Sequence, residues 1–105
     1  MTPARATAFR WDDIPLERVT EMVARKVVIA DGQMMAQTYL KKGAIVPQHR
    51  HDAPQMIYVL QGALRAVVGS EEFTIREGEV MSVPAGEAHQ AEALDDTFVL
   101  DVRGA

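Results

Sequence analysis

The sequence predicts an all-β protein folded as one domain, a sandwich or small barrel. Three observations carry that expectation. Short runs rich in β-branched and aromatic residues recur between turn signals at intervals of about 8–12 residues, the spacing of antiparallel sandwiches and barrels. No segment sustains the apolar period of a convincing amphipathic helix. And 105 residues suffice to close one hydrophobic core but not two. Residues 1–105 therefore read as a single domain, with residues 1–15 as an N-terminal arm.

Taken in order, residues 1–10 read as a loose arm, and Trp11-Asp12-Asp13-Ile14-Pro15 as a turn or single helical turn. Over ERVTEMVARKVV, Val19, Met22, Val23 and Lys26 show some helical order. The β-branched density rising through the segment favours a strand over residues 23–30 instead. That strand and QMMAQTYL (33–40) are joined by Asp31-Gly32, a strong two-residue hairpin signal. AIVPQHRH comes next, where Pro47 lacks the N–H a ladder needs and marks an edge or irregular strand. MIYVLQG (56–62), ALRAVVG (63–69) and SEEFTIREG (70–78) follow, with Gly69-Ser70 as a turn. EVMSVPAG (79–86), HQAEAL (89–94) and TFVLDVR (97–103) complete the series. Phe73 and Ile75 alternate with Thr74 and Arg76, which predicts one wet face. MIYVLQ and TFVLDV read as apolar throughout, which suits strands covered on both sides.

Composition narrows the function classes. Apolar residues at 48% and charged residues at 25% are ordinary for a soluble globular chain. A net charge of −4 with no basic stripe argues against a nucleic-acid partner. The absence of cysteine removes disulfides, thiolate metal ligands and a cysteine nucleophile. No apolar run suits a signal peptide or approaches the roughly 20 residues of a membrane span, so the expected address is cytoplasmic.

The chain holds three histidines, and two of them, His49 and His51, stand one residue apart in HRHDAPQ. His49, His51 and Gln55 share odd parity, so a regular strand would aim all three at the barrel interior. Pro84 and Gly86 form a turn that would bring His89 in from a distant strand. Three imidazoles and one oxygen donor suit one divalent metal ion: Zn, Ni, Fe, Mn, Co or Cu. The amide of Gln55 is neutral, so an ion there keeps its full charge and its Lewis acidity. Gln55 read instead as a lining residue leaves the fourth position to water.

These residues sit in two framed stretches. One is Gly43-AIVPQ-His49-Arg50-His51-DAP-Gln55-MIYVLQ-Gly62, and the other is Gly78-EVMSV-Pro84-Ala85-Gly86-EA-His89. Both resemble the two motifs of the cupin superfamily, with Gln55 at the usual Glu and Ala93 at the usual Asn. The resemblance implies a jelly-roll barrel, the double-stranded β-helix, over nearly the whole chain. GAIVPQHRHDAPQMIYVLQG further resembles small single-domain cupins of the KdgF-like pectin-degradation type. That resemblance implies a metal held by His49, His51, Gln55 and His89, in a protein converting unsaturated monouronates to linear ketouronates. It also implies an active-site aspartate at Asp101 on the last strand. The family's aromatic residue two positions later is Arg103 here, and its downstream arginine has no counterpart up to Ala105. Arg103 is thus the candidate to bind a substrate carboxylate.

Two readings of Asp101 stay open: a general acid/base, or a solvated residue on an outer face. Val99, Asp101 and Arg103 share one side of their strand, and Phe98, Leu100 and Val102 the other. Tyr58 has the opposite parity to the ligand set and reads as packing. Met34, Met35, Met56 and Met81 read as core or pocket lining, Arg65 as surface, and Trp11 as a cover for a barrel end or a dimer seam. The expected partners are a small-molecule substrate and a second copy, with neither nucleic acid nor membrane. A metal-dependent dioxygenase and a non-enzymatic ligand-binding module are the alternative functions.

Overall fold

A computed structural model of the chain describes residues 6–104. The expectation of a loose arm falls partly on residues 1–5, outside the described residues; residues 6–10 have no regular structure. A single 3-10 turn spans Trp11–Asp13. Ten strands follow: β1 Glu17–Arg18, β2 Val23–Ala30, β3 Gln33–Leu40, β4 Ile45–His49, β5 Gln55–Gln61, β6 Ala63–Val68, β7 Glu71–Arg76, β8 Val80–Val83, β9 His89–Ala93 and β10 Thr97–Gly104. The helical reading of the ERVTEMVARKVV segment does not hold, since β2 pairs with β3 along its full length. Only the two-residue β1 lacked any sequence signal.

The turns form where the backbone permits them. Asp31 and Gly32 take φ of 50° and 74°, and Ala30 pairs directly with Gln33. Two successive positive φ values are the type I′ geometry that matches strand twist in a two-residue hairpin. Gly62 is a different case, because it accommodates a close approach. A Cβ there would lie 2.5 Å from the Asp96 carbonyl oxygen and 2.6 Å from Thr97 Oγ1.

The strands make two antiparallel sheets, β1-β2-β3-β10-β5-β8 and β4-β9-β6-β7. After the β2–β3 hairpin the chain passes repeatedly from one sheet to the other. Between them lies one core, in which Leu40, Ile57, Val59, Leu64, Val83 and Val99 pack. This is the all-β jelly-roll barrel that the sequence predicts. β5 differs in detail: Gln55, Ile57 and Val59 are buried while Met56 and Tyr58 are exposed. Its run of apolar residues reflects a strand whose outer face is apolar, not one covered twice. The methionines divide the same way, with Met34 and Met81 in the core and Met35 and Met56 on the outer face. Phe73 is 40% exposed although it stands opposite the buried Ala66, on the same side of β7 as the buried Ile75.

Candidate metal centre

Three polar or charged residues are buried among the described residues: Gln55, His89 and Thr97. Thr97 is accounted for by the fold. Its hydroxyl accepts from the Ala63 N–H at 3.3 Å and donates to the Asp95 carbonyl at 2.8 Å. Gln55 and His89 are not, because Gln55 Oε1 and His89 Nε2 are enclosed with no hydrogen-bond partner. A polar atom left so costs about 1–3 kcal/mol. Both lie in one cluster.

β4 and β9 pair in the four-stranded sheet, with His49 directly opposite His89. The register shifts between Val46 and His49, around Pro47, so the strand kinks just before its histidine. His51 lies beyond the end of β4 in the loop to β5, where its parity with His49 carries no meaning. The loop is fastened instead by the second motif: the Gly86 N–H donates to the His51 carbonyl at 2.7 Å. Gly86 adopts φ of +78°, a backbone state that favours glycine. Besides the β5–β8 pairing, this backbone bond ties the two framed stretches together at His51 and holds it near the other rings.

The potential ligand atoms of His49, His51 and His89 all lie within 4.8 Å of one another. Ring centroids are 4.7 Å apart for His49 and His51, and 4.2 Å for His49 and His89. His49 Nδ1 lies 2.8 Å from the Pro47 carbonyl and His89 Nδ1 lies 3.0 Å from the Glu87 carbonyl. Each of those Nδ1 atoms is thereby the N–H donor, which leaves Nε2 as a lone pair, the tautomer a metal ligand needs. Burial lowers the His51 pKa, helped by the charges of Arg103, His49 and His89 and opposed by Asp52.

The six-stranded sheet supplies the opposite wall. Gln55 begins β5 opposite Arg103 of β10, and Asp101 is its diagonal neighbour on the same inner face. The Gln55 amide nitrogen donates to Asp101 Oδ1. A carboxylate only accepts, so the amide nitrogen must face it and Oε1 must point away. That oxygen is the enclosed atom without a partner. Of the two sequence readings of Asp101, the outer-face one is excluded: the residue faces the cavity. Burial raises its pKa, against the Gln55 hydrogen bond and the charges of Arg103, His89 and His49. Three clustered imidazoles, with an unpartnered Gln55 amide oxygen in the lining of the same cavity, fit a divalent metal ion.

A cavity of about 470 Å³ opens from this cluster, lined among others by His49, His51, Gln55, Asp101 and Arg103. It also reaches Arg25, which sequence reasoning passed over. Odd and even positions of β2 are both largely apolar, so the chain carries no signal of which face is inner. Pairing with β3 decides it: Arg25 stands opposite Thr38, on the side of the buried Ala36 and Leu40. Arg65, by contrast, is on the outer surface, 3.0 Å from Glu92. Tyr58 also faces outward.

A family model describing the cupin domain matches residues 36–102. The chain belongs to the cupin family. Within it, this cupin is of the small KdgF-like type. It is 30% identical over 91 residues to the pectin degradation protein KdgF of Dickeya dadantii, covering 85% of this chain and 83% of that protein. The structure of KdgF from a Halomonas species superposes with a TM-score of 0.87 at 25% identity, over 95% of this chain and 94% of that one. An RmlC-like cupin from Shewanella frigidimarina gives 0.85 at 20% identity over 99% and 94%, a likeness of fold alone. Among the described residues of this cupin, no helix is long and apolar enough to cross a membrane.

Proposed function

We propose that this cupin is a cytoplasmic metal-dependent enzyme that opens unsaturated uronates to linear ketouronates. The observation that carries the proposal is the Gln55–Asp101 hydrogen bond, which leaves an amide oxygen unpartnered beside three converging imidazoles. The likeness to KdgF proteins, one of which is named for pectin degradation, supports the substrate class.

A divalent ion held by His49, His51, His89 and Gln55 would supply Lewis acidity to a substrate oxygen. The chain's own residues do the rest. Asp101, whose pKa burial raises toward the working range of a general acid/base, gives and takes a proton at its carboxylate oxygens. Arg103 makes no ion pair within 4.0 Å among the described residues, so its planar fork is available to a substrate carboxylate. Gln55 orients Asp101 through the bond they share. The apolar wall behind them, including Val46 and Val99, excludes water from the reacting end.

The test is loss of the ultraviolet absorbance of 4,5-unsaturated galacturonate with fully metallated protein. Constant absorbance removes this reading. Oxygen uptake with an enol substrate would replace it with a dioxygenase, and ligand binding without turnover would replace it with a binding module.

The same reading includes pairing of two copies. The outer face of β3, β10, β5 and β8 exposes Met35 (40%), Met56 (57%), Tyr58 (38%) and Val80 (57%). Gln37, Leu100, Val102 and Ser82 fill in that face, so none of its central positions is charged. Four strands across and about five residues along give roughly 300 Å² of flat area, the lower end of the range for the largest apolar patch on a protein surface, which is often functional. A two-fold axis would set two such sheets face to face with no need of complementary charge. Phe9 and Trp11 border the Met35 end of this face.

A further inference from the structure

Among the described residues, Arg25 and Arg103 are the two guanidinium groups that line the cavity of the histidine cluster. They lie on opposite sides of Asp101. Arg103 is two residues past Asp101 on β10, beside Gln55. Arg25 stands opposite Thr38, which in turn stands opposite Val99, two residues before Asp101. From Arg103 to Arg25 is therefore four residues along the strands, about 14 Å, and two strand spacings across, about 10 Å. Along the inner face of β3, Met34 stands opposite Arg103, and the small Ala36 and Thr38 follow toward Arg25.

Arg25 is held from behind. Glu17 of β1 lies 3.5 Å from its Nε, and that nitrogen is enclosed without a hydrogen-bond partner. The side chain as a whole remains 40% exposed, so its exposure belongs to the parts beyond the Nε edge. A guanidinium backed on one edge by a carboxylate presents its other edge to a ligand as a pre-oriented donor pair.

We propose that Arg25 is a specificity-determining residue, which binds the end of the ligand remote from the histidines and makes the cavity a two-ended receptor for sugar-length acids. This rests on the reading of Arg103 as the carboxylate anchor given above. Short acids reach the histidines and Arg103 alone. A polyhydroxylated acid of sugar length offers a second set of oxygens to Arg25. Glu17 is a positioning residue that fixes the fork.

The test is isothermal titration of zinc-loaded protein with galacturonate as the long probe and glycolate as the short one. Arg25→Gln should weaken galacturonate by about tenfold or more, the loss of charge-assisted hydrogen bonds, and leave glycolate affinity unchanged. Arg103→Gln should weaken both. Arg25→Lys keeps the charge without the fork, stands in should Arg25→Gln fail to fold, and should show the same selective loss. Equal loss of both probes, no loss of either, or wild-type protein that does not prefer galacturonate overturns the proposal. Arg25-dependent galacturonate binding in a protein that leaves unsaturated galacturonate unchanged would remove the ring-opening reading and keep the two-ended receptor. Ring opening with kcat and KM untouched by Arg25→Gln would do the reverse.

Discussion

Replacing Asp101 by Leu and by Asn separates its two assigned tasks. The carboxylate orients Gln55 by accepting from its amide nitrogen. Leu removes the acceptor while keeping the branched shape at a larger volume, so the amide is free to turn and Oε1 is no longer fixed in place. A hydrogen bond to a charged group contributes about 1.5–3 kcal/mol. Converted at 1.4 kcal/mol per decade, that is roughly 10–100-fold in metal affinity, the range found when a partner of a metal ligand is lost. Asn keeps an oxygen acceptor, so Asp101→Asn should hold metal several-fold tighter than Asp101→Leu. Its amide cannot take a proton, so its turnover should fall by about 10²–10⁴-fold. Stability should move little, because the carboxylate that orients Gln55 is itself destabilised by burial. Chelator-competition titration with zinc reads metal affinity in both variants, circular dichroism confirms folding, and the ultraviolet absorbance assay reads turnover. A folded Asp101→Leu with wild-type zinc affinity would refute the orienting role. An Asp101→Asn with wild-type turnover would refute the proton-transfer role.

Three further outcomes follow from the geometry. Free zinc at 100-fold above its dissociation constant should stabilise the wild-type protein by about 2.7 kcal/mol, and His89→Ala should abolish the rise in melting temperature. Gly62→Ala should cost about 3–5 kcal/mol in denaturant unfolding, from its φ of +90° and a Cβ placed 2.5 Å from the Asp96 carbonyl oxygen; a loss below about 1 kcal/mol would mean the turn relaxes. Sedimentation should find a dimer for the wild type and a monomer for Met56→Glu, since a charge buried without a partner at the centre of the sheet face opposes pairing. A monomeric wild type, or a Met56→Glu variant that remains dimeric, refutes that interface.

Much of this cupin is legible in the chain because its determinants are local. Asp31-Gly32 fixes the β2–β3 hairpin through backbone preference alone, and the strand runs from residue 55 to residue 104 stop at turn residues. The histidines are legible because motif spacing is a sequence property. The reason first assigned to them was nevertheless local too, and only partly right. Alternation on a strand accounts for neither His51, which is in a loop, nor its meeting with His49. A backbone bond from Gly86, thirty-five residues away, does that.

Which face is inner is settled between strands rather than within them. On β2 both parities are largely apolar, so nothing in VARKVVIA marks Arg25 as facing the cavity. On β10 the alternation of Val99, Asp101 and Arg103 is plain in the sequence, but its direction is not. A strand's side chains alternate by geometry, whereas inside and outside are fixed only when sheets pack and water is excluded from one face. The sequence by itself determined all the strands but β1, the turns, the family and the set of candidate ligand residue types. The tertiary structure alone decided that Asp101 turns inward to hold Gln55, and that Arg25 and Arg103 share one cavity.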